Sequence, residues 1–269
     1  MNIKIVTLLF ALPFFYSSSL FSTYDGVHNP RVSIITSMYK GDMFIQGFLA
    51  DIVQQIIFDE CELILVNANS PDHEEDIIKE YCKKYPNIRY IKLTHDPGIY
   101  SVWNFAIKSA RAAYITNANI DDRLSPHCYE LHAHALDTNP EIDLVYSDYY
   151  WSNKPNETFE EIDKAQATRS VLPEFSKKAM CYCLPNNHPM WRKSMHDKYG
   201  FFDESYKRVG DYEMWLRAVS QGALFKKVSE ILGVYYFNPK GLSTDSNSLA
   251  QLQQEGLRTS RLYGYVYRD

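Results

Sequence analysis

The chain has 269 residues, with 28 Lys and Arg against 33 Asp and Glu, which gives a net charge of −5 at pH 7. This length allows one large domain or two small ones, and a composition of 45% hydrophobic and 23% charged residues excludes a disordered chain. The acidic balance provides no electrostatic reason to bind nucleic acid, so we expect no such partner. The 21 tyrosines favour a polar ligand, because a tyrosine packs its ring and hydrogen-bonds through its hydroxyl.

Residues 1–22 differ in character from the rest of the chain. Lys4 precedes an apolar run from Ile5 to Tyr16, which three serines follow. The run is shorter than the roughly 20 apolar residues of a spanning helix and is typical of a secretory signal. We therefore predict a signal peptide or membrane anchor at 1–22 and an exported or membrane-associated protein. The alternatives are an N-terminal packing segment and a cytoplasmic protein.

The next part of the chain alternates between strand-like and helix-like apolar patterns. The strands are predicted at 32–36, 62–66, 88–93 and 113–118, and the helices at 42–58, 72–85 and 99–109. This alternation predicts an α/β fold with a mostly parallel sheet and helices on both faces. Ligands of such sheets bind beyond the carboxyl ends of the strands, so we expect the chemistry there.

The second half of the chain is less regular. We predict a helix from Ser125-Pro126 to Leu136, a strand at 144–151, an irregular stretch at 152–185 and a helix at 211–220. Glu213 and Arg217 are four residues apart, and we predict a solvated ion pair on the exposed side of the last helix. The five cysteines are predicted to be reduced core thiols, because their number is odd and their spacing fits no zinc or redox motif. We expect one α/β domain whose second half forms a substrate wall.

Two acidic positions stand out as chemistry-bearing. Asn119-Ile120-Asp121-Asp122 follows a buried strand, and adjacent carboxylates at a strand end suit Mg²⁺ or Mn²⁺ with substrate phosphates. The structural alternative is that both aspartates cap the turn and the following helix. Asp211 begins a helix, where it is either a rigidly held general base or simply the N-cap. His127, His132 and His134 do not share one helical face, so no zinc site is expected.

Four segments, in this order, resemble the family 2 glycosyltransferases, which have the GT-A nucleotide-sugar-binding fold. These segments are Pro30–Tyr39, Glu62–Ser70, Gly98–Asp122 and Asn187–Phe225, the last with the runs YGFFDE (199–204) and GDYEMWLR (210–217). The resemblance covers roughly Pro30 to Ser243. It implies a catalytic domain at 30–243 and leaves 244–269 as a helical tail.

The resemblance implies a role for individual positions. Thr36, Tyr39, Asn67, Asn104, Asn119 and Asp122 would bind the nucleotide sugar, Asp121 the metal, and Asn187, His188 and Trp215 the acceptor, with Asp211 as catalytic base. A plain loop histidine is an equal alternative for His188. Asn67 and Asn119 stand where the family usually has aspartates, and Asn238 stands where many relatives have a histidine.

The expected function is that of a metal-assisted inverting glycosyltransferase of the hexosyl type. Its donor would be a nucleotide-diphosphate sugar, its cofactor Mn²⁺ or Mg²⁺, and its acceptor a glycan, lipid or protein, in the context of cell-surface polysaccharide. One alternative is a nucleotidyltransferase, although residues 34–40 lack the expected Gly and Lys/Arg richness. The other alternative is a nucleotide- or sugar-binding relative without turnover, which the two asparagine replacements suggest.

Overall fold

The computed structural model describes residues 29–265. The segment 1–22, for which a signal peptide or anchor was predicted, lies outside the described residues. Within residues 29–265, no helix combines the length and apolar character needed to cross a membrane.

One mixed sheet forms the centre of the molecule. Its strands are β1 (Val32–Met38), β2 (Cys61–Asn67), β3 (Ile88–Lys92), β4 (Tyr114–Asn117), β5 (Arg123–Leu124), β6 (Leu144–Ser152), β7 (Arg169–Ser170), β8 (Met190–Arg192) and β9 (Phe225–Tyr236). The strand order is β3-β2-β1-β4-β8-β6-β9-β5, and β7 pairs with β6 outside this path. The first four strands are mutually parallel, β8 is antiparallel to both neighbours, and β6 and β9 are parallel to each other. The predicted α/β fold with a mostly parallel sheet is confirmed.

Helices cover both faces of this sheet. They are α1 (Ile45–Ile52), α2 (Glu74–Lys84), α3 (Ile99–Ser109), α4 (Cys128–Asp137), α5 (Met195–Tyr199), α6 (Gly210–Ser220) and α7 (Leu249–Leu262). Apolar residues of α1, α2 and α4 pack in one core, and those of α3, α5 and α6 pack in the other. Strands β1 and β2 supply alternate residues to the two cores because successive side chains of a strand point to opposite faces.

Two local predictions were wrong. The helix predicted at 42–58 is limited to Ile45–Ile52, because the chain then turns and the Ile56 amide donates to the Pro126 carbonyl at 2.9 Å. Glu213 and Arg217 do form a pair, at 2.9 Å, but Glu213 is buried and the Arg217 side chain is only 19% exposed. The pair is therefore part of the packing of α6 and is not a solvated surface pair.

All five cysteines have free thiols, as predicted. Cys61 and Cys128 are fully buried, whereas Cys82, Cys181 and Cys183 are partly exposed. Burial raises the pKa of the Cys61 and Cys128 thiols well above the ordinary cysteine value, so both are poor nucleophiles.

Candidate active site

The turn after β4 carries the adjacent carboxylates, and the end of β9 holds both of them. The Asn238 amide donates to Oδ2 of Asp121 at 2.9 Å, and the Tyr236 backbone amide donates to Oδ1 of Asp122 at 3.1 Å. Asn119 donates to the other oxygen of Asp122 at 3.0 Å. Neither aspartate caps α4, whose N-cap residue is His127. The alternative interpretation, in which both aspartates cap the helix that follows the turn, is therefore wrong for α4.

The two carboxylates differ in environment. Asp122 is 4% exposed, and burial, followed by the negative charge of Asp121, raises its pKa well above the ordinary value. Asp121 is partly exposed, and among residues 29–265 no hydrogen bond reaches its Oδ1. Asp121 thus offers a carboxylate oxygen of the kind that Mg²⁺ and Mn²⁺ prefer, and the residues of this turn fit such a cation.

Arg123 holds the same turn through its backbone carbonyls. Its buried guanidinium donates to the carbonyls of Ile120 and Asp122, on either side of Asp121. It also donates to the side chain of Asn156, and a Cβ at Gly47 would lie 2.7 Å from the guanidinium. Arg123 therefore fixes the backbone that carries Asp121 and does not neutralise that carboxylate directly.

A second acidic group lies between the loops that follow β1 and β2. The candidate ligand atoms of Asp42, Asp72 and Glu74 lie within 4.8 Å of one another. Buried Glu74 accepts from the Gly41 amide and from the Ser70 hydroxyl, so its Oε1 ties the two loops together.

Asp211 lies in the first turn of α6. The N-cap residue of this helix is Val209, so the interpretation of Asp211 as the N-cap was wrong. Its carboxylate accepts from the Tyr100 hydroxyl at 3.3 Å and contacts the Cys183 thiol at 3.9 Å. Burial raises its pKa above the ordinary aspartate value, although hydrogen bonds from the Tyr212 amide and Tyr100 oppose the shift. A carboxylate with a raised pKa is a stronger base than an ordinary aspartate.

Tyr149 connects the two acidic positions. Its hydroxyl accepts from the side-chain amide of Asn186 at 2.9 Å. Asn186 and Cys183 belong to one turn, because the backbone amide of Asn186 donates to the Cys183 carbonyl. Burial raises the pKa of Tyr149, and the negative charge of Asp122 raises it further. The Cys183 thiol in turn contacts the Asp211 carboxylate. The Tyr149 ring also packs against Tyr235 at 5.9 Å between centroids, and the next residue, Tyr236, donates its amide to Asp122. Tyr149 therefore links the turn after β4 to the start of α6 through neighbouring residues.

The predicted nucleotide-side residues have different surroundings. Thr36 is buried in β1 with an unpartnered hydroxyl, and Tyr39 is 46% exposed just beyond that strand. Asn67 ends β2, where its amide donates to Tyr90 and its oxygen accepts from the Ser70 amide. Asn104 is 2% exposed in α3 and bonds both backbone groups of Phe202. Asn104 is therefore a structural link between α3 and the segment before α6, and the prediction that it binds nucleotide is not supported.

Two predicted acceptor-side residues are core residues. Trp215 is 1% exposed and packs against Trp191 at 5.3 Å and Phe202 at 5.7 Å between ring centroids, so it cannot contact an acceptor. His188 is 3% exposed, and its ring fills the space that a Cβ at Gly233 would need. Burial lowers the pKa of His188 to about 3, so this imidazole is neutral. Only Asn187 of the three is partly exposed.

Sequence reasoning missed the residues that surround the two acidic positions. Tyr149 and Trp151 on β6 lie beside Tyr235 on β9, with ring centroids 4.8 to 5.9 Å apart, and Phe237 continues the same row. Trp151 is 36% exposed and Phe237 is 43% exposed. The alternation of aromatic residues at 149, 151, 235 and 237 was the available signal, because alternate residues of a strand share a face.

Comparisons with known proteins agree with this architecture. The sequence model described as glycosyl transferase family 2 matches residues 33–197. The uncharacterized glycosyltransferase EpsJ of Bacillus subtilis is 27% identical over 225 residues, which cover 80% of this chain and 63% of EpsJ. Residues 1–349 of TarS from S. aureus, solved with UDP-GlcNAc, superpose with a TM-score of 0.68 at 18% identity and cover 87% of this chain and 65% of the TarS chain.

A further neighbour is the mannosyltransferase PcManGT from Pyrobaculum calidifontis, solved with GDP-Man and Mn²⁺. It has a TM-score of 0.65 at 14% identity and covers 89% of this chain and 67% of PcManGT. At these identities the structural likeness shows the GT-A fold. The chain spans less than two thirds of the lengths of EpsJ and TarS. Because the family match covers more than half of the chain, this protein belongs to glycosyl transferase family 2.

Proposed function

We propose that this transferase moves a sugar from a nucleotide-diphosphate sugar to an acceptor hydroxyl with inversion, and that Asp211 is the general base. The observation that carries this proposal is the chain of contacts through Tyr149, which packs against Tyr235 next to the Asp121-Asp122 turn and bonds Asn186 in the turn whose Cys183 thiol contacts Asp211. An inverting transfer needs this arrangement, because the acceptor loses its proton on one side of the reacting sugar while the diphosphate leaves on the other.

The proton transfer is assigned to Asp211. An acceptor hydroxyl is a weak nucleophile, and a carboxylate that takes its proton as the new bond forms makes it competent. The Tyr100 hydrogen bond orients the Asp211 carboxylate, and its raised pKa improves it as a base. Tyr149, Trp151 and Phe237 form the surface on which the acceptor is proposed to lie.

The donor side is assigned to the ends of β1, β2 and β4. Asp121 would hold a divalent cation, which when bound supplies Lewis-acid stabilisation of the departing diphosphate. Asn119 and Asp122 shape this turn, and Tyr39 is exposed where a nucleotide base can stack on its ring. The neighbours solved with UDP-GlcNAc and with GDP-Man and Mn²⁺ support a nucleotide-sugar donor and a cation here.

Activity of an Asp211→Asn variant tests the base assignment. We expect turnover of UDP-GlcNAc or GDP-Man with Mn²⁺, measured as nucleotide release, to fall at least ~100-fold, because an amide accepts no proton. The acid limb of kcat/KM in the unchanged protein should lie above the ordinary aspartate value, because the base works only when deprotonated and its pKa is raised.

Asp197→Asn is the matched control, since Asp197 is an exposed aspartate of α5. It should retain full turnover. Unchanged turnover in Asp211→Asn would exclude Asp211 as the base. Nucleotide binding by calorimetry without product in the unchanged protein would favour a binding relative, and pyrophosphate release from a nucleoside triphosphate would favour a nucleotidyltransferase.

A further inference from the structure

The segment 207–209 that leads into α6 lies outside the helices and strands. Val209 is the N-cap residue, and its side chain has no oxygen to accept from the first-turn amides. The backbone amides of this segment need acceptors from elsewhere, because no helix or strand ladder pairs them. Asp211 lies in this first turn, so whatever fixes the segment also fixes the proposed base.

Glu255 of the C-terminal helix α7 provides the acceptor. Its Oε2 accepts from the backbone amides of Arg208 at 2.9 Å and Val209 at 3.3 Å, and its Oε1 accepts from that of Lys207 at 3.2 Å. Three consecutive amides therefore converge on one carboxylate, which is the arrangement of an anion-binding nest. A carboxylate near the start of a helix also complements the positive end of the helix dipole.

Two further contacts hold α7 in place against this region. The Thr259 hydroxyl, which is fully buried, donates to the Tyr206 hydroxyl at 2.9 Å. The Tyr263 hydroxyl donates to Glu213 of α6 at 2.7 Å. The helix is thus attached both before and after Asp211, and Glu255 is the central contact.

The opposite side of the same segment rests on Tyr100. Its hydroxyl donates to the Arg208 carbonyl at 2.9 Å and lies 3.3 Å from Oδ1 of Asp211. A Cβ at Gly210 would lie 2.7 Å from the Tyr100 ring, so glycine allows this close approach. The backbone that carries Asp211 is therefore held between the Glu255 carboxylate and the Tyr100 ring.

We propose that Glu255 is a positioning residue, which holds segment 207–209 so that Asp211 faces the reacting hydroxyl. The inference rests on the proposed function, because it takes Asp211 as the base. It assigns a role to a helix that lies beyond residues 33–197, the part that matches the family. Glu255 acts through the backbone and contacts neither donor nor acceptor.

Kinetics of Glu255→Ala separate positioning from donor binding. We expect kcat to fall ~10- to 100-fold, as for a displacement of a catalytic group by about 1 Å, while KM for the nucleotide sugar changes less than about threefold. Glu255→Gln retains one carbonyl oxygen as acceptor and should recover part of kcat. The control Glu230→Ala, at an exposed position of β9, should change neither constant.

Hydrogen exchange provides a readout that does not depend on activity. In Glu255→Ala, measured without nucleotide, the amides of residues 207–209 should exchange at least ~10-fold faster, while those of β1 and β2 stay protected. If Glu255→Ala does not fold, Glu255→Gln alone decides, by a lower kcat at unchanged KM together with faster exchange at 207–209.

The possible failures are distinguishable. The role of Glu255 would be overturned if Glu255→Ala changed neither kcat nor the exchange at 207–209, even if Asp211→Asn is inactive. Where Glu255→Ala does not fold, the same two results in Glu255→Gln would overturn it. Full turnover in Asp211→Asn would instead overturn the proposed function, and the exchange data would then still show whether Glu255 holds the segment.

Discussion

At the scale of single residues, the surroundings decide whether a polar side chain serves structure or chemistry. His132 and His188 are both buried, and three of their four ring nitrogens have no hydrogen-bond partner among the described residues. Burial lowers the pKa of each to about 3, because an uncompensated imidazolium is unfavourable away from water. Asp211 is also a titratable group with a shifted pKa, but it is partly exposed beside Tyr100 and Cys183.

His132→Leu should reduce the acid sensitivity of the fold. The folded-state pKa of about 3 lies below the unfolded value of about 6.5, so the unfolded chain binds more protons between these values. The stabilisation is therefore complete above pH 6.5 and is lost as the pH falls towards 3, at about 1.4 kcal/mol per pH unit and group.

Urea unfolding at pH 6.5 and pH 5.0 measures this difference. We expect His132→Leu to lose about 2 kcal/mol less than the unchanged protein over this interval. His134→Leu is the control on the exposed side of the same helix and should keep the original pH dependence. An unaltered pH dependence in His132→Leu would contradict the assigned burial effect.

At the scale of elements, α6 is the support of the proposed base. Arg217 donates from this helix to the carbonyls of Tyr199 and Phe201 and pairs with Glu213 one turn away. These bonds attach α6 to the end of α5, while Trp215 packs α6 into the core beneath the sheet. The helix that carries Asp211 is therefore attached to its neighbours by both hydrogen bonds and core packing.

Arg217→Ala should destabilise the protein by about 3 kcal/mol, because it leaves buried Glu213 without its cationic partner and two carbonyls without their donor. The measurement is the free energy of unfolding in urea at pH 7. Arg258→Ala, at an exposed position of α7, should change it by less than about 0.5 kcal/mol. Equal values for the two variants would show that the Arg217 contacts contribute little.

At the scale of the whole molecule, the strand order creates the site. Inserting β8 between β4 and β6 places the second half of the chain beside the first, and β9 then returns along β6. The end of β9 consequently reaches the turn after β4, where Asn238 and the Tyr236 amide hold Asp121 and Asp122. A donor that binds this composite surface should stabilise the entire fold.

Thermal unfolding with UDP-GlcNAc or GDP-Man and Mn²⁺ tests this expectation. At ~100 times the dissociation constant, the bound donor should add about 2.7 kcal/mol, which raises Tm by roughly 5–10 °C for a chain of this size. Asp121→Asn should lose the additional shift that Mn²⁺ produces and keep the smaller shift from nucleotide sugar alone. Asp197→Asn should show the full shift. A complete Mn²⁺-dependent shift in Asp121→Asn would exclude Asp121 as the metal ligand.

Local patterns determined the parallel half of the fold and the acidic positions. The spacing of apolar residues between 32 and 118 predicted β1 to β4 and the helices between them, because this spacing follows the face that each element buries. The same patterns and the resemblance marked Asp121 and Asp211 before any coordinates. They could not show that Glu213 is buried and Arg217 largely covered, because burial on the outer side of α6 depends on α5 and α7.

Tertiary structure alone decided which polar residues surround the site. The resemblance assigned binding roles to Asn104 and Trp215, yet the Asn104 side chain bonds Phe202 and Trp215 packs in the core. Glu255 carried no signal, and the aromatic alternation that includes Tyr149 could not show what this tyrosine contacts, because both sets of contacts join segments that are distant in the chain. A sequence records the preferences of each segment for its own conformation, whereas long-range hydrogen bonds and packing form only after the sheet has aligned those segments.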